Sequence, residues 1–432
     1  MMAAWRESGD TLGREGRMRI SGEAAGRASA ASVGRPRARF ALPPALRNAV
    51  APLALLLGWR ALGLLVAIVA SQFGGTGPPA TLGDAVTRGL DHWDAGWYLA
   101  IARDGYALPS GPGQQANVAF YPLLPLLIRL VHLAIPSWRL AGMLVVHVAL
   151  AGAVLYLDAL VRLDHDRRTG LRAVVALLLY PTAIFLTAIY TESLLLLGLL
   201  GAVYHARRGQ WWAAGLWGLL AGLTKTIGVV ALVPLAWEYW RAAPWRGASP
   251  AQRAGQLVAL ALVPLGTVAY LGYLQVHFGS YQVYFATQVV WFREGFFQPF
   301  LTDGWGFLRA FLRGEGAGVT NYFYPQGRTT LPSAGAFMLL DLGFLLVAFG
   351  VGLLVTFRLR VSYGLLVLAG VFLTAYSGSP QSFNRYTLIL FPLPIAFAVA
   401  GRRPAIGFAL LTLSGLLSLY HAYLFVNGFW AG

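Results

Sequence analysis

Cysteine is absent from the 432-residue chain, lysine occurs once, and only 12% of the residues are charged. Without a thiol there is no disulfide, no thiolate nucleophile and no cysteine-ligated metal. The charged fraction is about half that of a soluble domain, while 57% of the residues are hydrophobic. Together these exclude an ordinary water-soluble globule, a disordered chain and a coiled coil. No glycine-rich phosphate loop sits between a strand and a helix, so no soluble-nucleotide site is indicated. No apolar run of signal-peptide size precedes about residue 48. What is present is a succession of apolar runs, and these define an all-α polytopic membrane protein.

The net charge of +16 would fit a nucleic-acid partner in a soluble protein. Here the arginines sit in an N-terminal tail and in short loops between apolar runs, as the positive-inside rule produces, so membrane lipid is the expected partner and nucleic acid is not. Residues 1–47, rich in Arg, Gly, Ala and Ser, read as a disordered basic cytoplasmic tail, with Met18 as an alternative start; residues 48–432 read as one transmembrane domain. Eleven candidate spans follow at about 48–72, 138–161, 172–190, 192–206, 211–224, 226–240, 255–276, 333–357, 363–377, 387–400 and 405–426. With the tail inside, the arginines at 162, 167, 168, 172, 207, 208, 241, 246, 253, 358, 360, 402 and 403 all fall on the cytoplasmic side. Two long outer loops result, about 73–137 and 277–332. They hold most acids outside the tail (Asp84, Asp91, Asp94, Asp104, Glu294, Asp303, Glu315) and aromatics such as Trp93, Trp97, Tyr121, Trp291, Phe296, Phe297 and Trp305. Abundant alanine, glycine and arginine point to a bacterial plasma membrane.

The segment richest in chemistry runs from Asp91 to Tyr106. Apolar and aromatic residues at 93, 97, 98, 101 and 102 recur at helical spacing, which predicts a short interfacial helix stopped by Gly105. Asp91 and Asp94, three apart, would share a face, with Asp104 off it. Two readings stay open. Asp91 caps the helix and Asp94 is a favourable first-turn charge, or a carboxylate partly withdrawn from water beside tryptophan serves as a general base. Asp91, His92 and Asp94 match no recognised metal-ligand pattern, and divalent-metal dependence is left open; no cofactor is required.

Other costly polar groups stand at apolar boundaries. Phe120-Tyr121-Pro122 turns into a second amphipathic element, and Tyr190-Thr191-Glu192-Ser193 puts a carboxylate between two apolar segments, with Thr191 a possible helix cap. Lys225, the sole lysine, sits at another outer turn, and Arg385 precedes the tenth apolar run. Arg60, midway along the first, is either functional or a structural partner of Asp158 or Asp341. Cations such as Lys225 and Arg385 facing Asp94 and Glu192 would suit a lipid-linked phosphate.

Taken in order, several of these pieces resemble one family. They are Trp93-Asp94-Ala95-Gly96-Trp97-Tyr98, Phe120-Tyr121-Pro122-Leu123-Leu124-Pro125, Tyr180-Pro181-Thr182 running into Tyr190-Thr191-Glu192-Ser193, Gly209-Gln210-Trp211, Ala221-Gly222-Leu223-Thr224-Lys225 and Asn384-Arg385-Tyr386. The resemblance is to the PIG-V-like mannosyltransferases, the family of the second mannosyltransferase of GPI-anchor assembly, within the GT-C superfamily of membrane glycosyltransferases, and it covers about residues 48–400. Lys225 stands where members usually carry an arginine followed by proline, and Leu124 where an aromatic is common; neither change removes a charge.

The resemblance implies a GT-C-type bundle of about eleven transmembrane helices with amphipathic helices in a long first extracytoplasmic loop. It implies a polyprenyl- or dolichyl-phosphate-linked sugar donor, mannose first, and a glycolipid, glycan or protein acceptor on the extracytoplasmic face. Asp94 would be the catalytic base. Arg385, Lys225, Glu192, Asp91, Tyr121, Trp97 and Tyr190 would bind donor phosphate or substrate, with Arg60 a third candidate cation. One base suffices in principle, because a phosphate diester leaves without the protonation that a sugar alkoxide needs. The alternatives are a lipid or lipid-linked-sugar transporter, which would place its charges in a midplane cavity between repeats, and a non-catalytic subunit of a glycan-assembling complex.

Overall fold

The computed structural model describes residues 44–73, 90–111, 113–290, 334–376, 382–429 and 431. The expected tail, most of the second outer loop, and the acids and aromatics singled out at 84, 291, 294, 296, 297, 303, 305 and 315 lie outside the described residues. Among the described residues every regular element is a helix.

Five segments are long and apolar enough to cross a membrane: Leu46–Val66, Trp138–Val161, Pro250–Phe278, Leu340–Arg358 and Pro404–Val426. They belong to helices α1 (Pro44–Phe73), α4 (Trp138–Val161), α9 (Pro250–Phe278), α11 (Ala334–Arg358) and α15 (Pro404–Val426). Between them run shorter helices: α2 (Asp94–Asp104), α3 (Leu123–His132), α5 (Arg167–Leu178), α6 (Glu192–Arg207), α7 (Trp211–Thr224), α8 (Leu232–Ala242), α10 (Gln282–Val289), α12 (Val361–Tyr376), α13 (Phe383–Leu388) and α14 (Pro392–Ala400). In their most apolar windows, α4 is 56% buried and α1 only 11%. Thus α4 is the spine of the bundle and α1 lies at its edge.

Helix ends follow local chemistry. Ser249 and Gln252 form a reciprocal capping box ahead of Pro250. Asp166 accepts from the Thr169 amide at the start of α5, and Gly105, at φ 88°, closes α2 where expected. The expected continuous run at 172–190 is instead broken. Helix α5 stops at Leu178, since the residue before Pro181 is disfavoured in helix, and the chain descends through a 3-10 turn, Ala183–Leu186, before α6 begins at Glu192. The run expected at 226–240 likewise begins as a 3-10 turn, Thr226–Ala231.

These two breaks create the site. Helices α6 and α7 form an antiparallel hairpin, so Glu192 at the start of one and Lys225 just past the end of the other lie at the same end. The hairpin is tight there, a Cβ on Gly198 falling 3.0 Å from the Ala221 Cβ. The turn after Lys225 folds back so closely that a Cβ on Gly228 would collide with the Ala221 carbonyl. Gly228→Ala is therefore expected to shift the Lys225 turn and cost about 1–3 kcal/mol by overpacking. Thermal unfolding of the purified protein in detergent checks it.

Candidate functional site

Helix α2 is held at both ends by groups distant in sequence. No side chain of its own caps its N-terminus, and Trp93 before it adopts φ 56°, a left-handed conformation that costs a bulky residue about 1–3 kcal/mol. The Tyr190 hydroxyl does the capping: it accepts from the Asp94 amide and donates to the His92 carbonyl, both at 3.1 Å. This corrects the expectation of an Asp91 cap. Asp91 precedes the helix, and its carboxylate pairs with Arg139 at 2.6 Å. At the other end, Asn117 bonds the Gly105 carbonyl and the Ala107 amide, and Arg129 of α3 bonds the Ala102 carbonyl.

The result is a row of alternating charge. Asp94 Oδ2 accepts from Arg385 Nη1 at 3.0 Å; Arg385 Nε lies 3.2 Å from Glu192 Oε1; and Lys225 Nζ lies 3.3 Å from the same oxygen. The Arg385 and Glu192 side chains are 5% and 2% exposed, those of Asp94 and Lys225 14% and 18%. The interior of the row is therefore sealed and its ends are reachable. Asp94 and Glu192 occupy first helical turns, where the positive helix end favours them, and Arg385 sits in the last turn of α13. Arg385 lies over the rings of Tyr190, Phe185 and Tyr386 at 5.2–5.7 Å, and Lys225 Nζ lies 4.3 Å from the Tyr386 ring centre. Burial alone would lower the Arg385 guanidinium, but Glu192 and then Asp94 reverse this and hold it well above the ordinary arginine value. Burial, and next Asp94, raise the Tyr190 and Tyr98 phenols, so both remain neutral hydrogen-bonding groups.

The helix that carries Arg385 is only six residues long and is suspended from its neighbours. Asp341 of α11 accepts from the Ser382 and Asn384 amides at 3.0 and 2.9 Å, capping α13 from another element. Thr182 donates to the Asn384 carbonyl, Tyr180 donates to Thr387, and the Asn384 amide nitrogen lies 3.4 Å from His421 Nε2. Asp341 is thus committed to α13, and Asp158 pairs with Arg162; neither is the partner suggested for Arg60.

Of the expected site residues, the fold brings Asp94, Glu192, Lys225, Arg385 and Tyr190 together. Tyr121 joins from the side. Its hydroxyl accepts from Thr226, the neighbour of Lys225, and its ring packs against Tyr270 and Tyr284. Trp97 stacks on Phe120, 5.8 Å between ring centres. Asp91 is outside the row. Among the described residues no three His, Cys, Asp or Glu side chains are placed to hold a metal ion. Sequence reading named Asp341 only as a possible partner of Arg60 and Thr182 only within a motif, and assigned neither these nor His421 and Phe185 to the site. Tyr180 and Thr182 were visible as polar residues beside a proline, whereas nothing marked Asp341 as a cap for a helix 42 positions on.

Because both Tyr190 hydrogen bonds go to backbone, Tyr190→Phe keeps the ring over Arg385 while leaving the Asp94 amide unpaired. The expected cost is about 1–3 kcal/mol in stability, read by thermal unfolding, with the fall in activity in kcat rather than donor KM.

Fold and site together define an integral membrane protein with a buried, charge-alternating site at one end of its helices. A family profile described as mannosyltransferase (PIG-V) matches residues 77–291 of the chain. Asp94, Glu192 and Lys225 lie inside the matched region; Arg385 lies beyond it. GPI alpha-1,6-mannosyltransferase 2 of Mus musculus is 31% identical over 168 residues, 36% of this chain and 33% of the mouse protein. The Rattus norvegicus protein of the same name is 31% identical over 160 residues, 34% of this chain and 31% of the rat protein. The chain thus spans about a third of the length of the curated relatives it matches. Among solved structures, the apo oligosaccharyltransferase of Archaeoglobus fulgidus aligns with a TM-score of 0.43 at 13% identity, over 87% of this chain and 56% of that one.

Proposed function

We propose that the chain is a lipid-phosphate-sugar-dependent hexosyltransferase, moving mannose from a polyprenyl- or dolichyl-phosphate donor to a hydroxyl of a glycolipid, glycan or protein on the extracytoplasmic face, with a GT-C-type fold. The observation that carries this reading is the row Asp94–Arg385–Glu192–Lys225. Asp94 at one reachable end adjoins Arg385, and buried Glu192 holds both that arginine and Lys225 at the other end, an arrangement suited to a reaction that releases a phosphate.

Asp94 takes the proton of the acceptor hydroxyl, the oxygen attacks the anomeric carbon, and the bond from that carbon to the donor phosphate oxygen breaks. The lipid phosphate leaves with the bonding pair, and the proton stays on Asp94 until solvent removes it. Arg385 engages Asp94 through Oδ2, which leaves Oδ1 for the acceptor. The positive charge of Arg385, fixed between Asp94 and Glu192, and of Lys225 at the exposed end stabilises the negative charge that grows on the leaving phosphate. A transporter would need its polar groups in a midplane cavity, whereas this row lies where α2, α6 and α13 end.

The test is transfer by detergent-purified full-length protein given radiolabelled polyprenyl-phosphate mannose and a lipid extract of the host. Label moving into a new product supports the reading and identifies the acceptor. No transfer from mannose, glucose or arabinose donors by folded protein overturns it.

A further inference from the structure

Arg60 is a cation in the wrong solvent. It lies in the apolar window Leu46–Val66 of α1, half-buried, and among the described residues it forms no ion pair with a carboxylate. A charge at that depth is costly unless an anion or water meets it. Arg60 also lines a cavity of about 300 Å³ between α1 and α15, floored by Leu90, Leu179, Ile184 and Thr187. Two glycines shape its walls. A Cβ on Gly415 would meet nothing within 4 Å, and one on Gly63 would meet only the tip of Arg60, at 3.6 Å. The groove is open on the bilayer side, where Leu62, Leu416 and Leu419 are exposed.

We propose that this groove binds an anionic phospholipid of the surrounding membrane, one acyl chain along α15 and its phosphate on Arg60. The depth is compatible: Arg60 is six residues from the site-side end of its apolar window, about 9 Å along the helix, and an arginine stem can lift its guanidinium much of that way. The occupant is a membrane phospholipid rather than the sugar donor because the groove does not communicate with the charge row. Neither Asp94 nor Arg385 lines it, and the rings of Phe185 and Phe425, packed on each other and on Tyr190, fill the neighbouring interior. The lipid would fasten α1, the least enclosed span, to the body of the protein.

The test uses the full chain in phosphatidylcholine nanodiscs doped with photoreactive phosphatidylglycerol, cross-linked peptides being read by mass spectrometry. Labelling is expected in residues 59–66 and 411–426, about tenfold lower in Arg60→Leu, retained in Arg60→Lys, and lost in Gly415→Leu, which fills the groove without touching a charge or the transfer site. Unchanged labelling in Arg60→Leu overturns the proposal, as does equal labelling by a photoreactive phosphatidylcholine. Preferential labelling of these peptides by a photoreactive polyprenyl phosphate overturns it too.

Discussion

Asp94→Asn is expected to lower turnover by about 10²–10⁴-fold, the usual contribution of a positioned general base, while leaving the protein folded. Asparagine keeps the size of the side chain and can still accept from Arg385, so the short helix α2 and its Tyr190 cap stay in place. What disappears is the ability to hold the acceptor's proton. The measurement is single-turnover transfer of labelled mannose beside a thermal-unfolding curve for the same preparation. Full turnover in the folded variant removes Asp94 from the role of base. Lost turnover together with lost folding leads to Asp94→Glu, which retains the carboxylate and is expected to recover part of the rate.

Removing the central cation has the largest expected effect on stability. Arg385→Met leaves Asp94 and Glu192 facing a neutral side chain, and breaking a buried pair from one side costs about 3–5 kcal/mol because the stranded charge remains. Lys225 still reaches Glu192, so the greater part of the penalty falls on the Asp94 side. Combining Arg385→Met with Asp94→Asn, which neutralises the stranded carboxylate, is expected to recover part of the stability without recovering transfer. A double-mutant cycle on unfolding midpoints reads the coupling directly. If the single variant is as stable as the parent, the row is not the buried charge network described here.

Much of this site could be read from the chain, and what could not follows one pattern. Asp94, Glu192, Lys225 and Arg385 stand out as charges at apolar boundaries, where a charge needs a reason. Their pairing could not be read: Asp94 and Arg385 are 291 positions apart, and periodicity carries no information over such a separation. Asp91 shows the reverse error. An acid just ahead of a helical pattern is a sound cap by local rules, yet a tyrosine 96 positions away takes the amide. The break after Leu178 was announced by Tyr180-Pro181, but a continuous apolar run masked it, since hydrophobicity alone does not distinguish one long helix from two packed pieces. Local grammar locates the helices; the caps supplied in trans by Tyr190 and Asp341 give them their aim.

The suspension of α13 also bears on how the protein is made. Asp94 and Glu192 leave the ribosome long before Arg385, and Asp341 arrives ahead of the helix it will cap. The growing chain thus carries two carboxylates to the membrane boundary with only Lys225 to answer them. The last elements, α13 to α15, act as a keystone: until they dock, Asp94 is without its arginine and Glu192 has Lys225 alone.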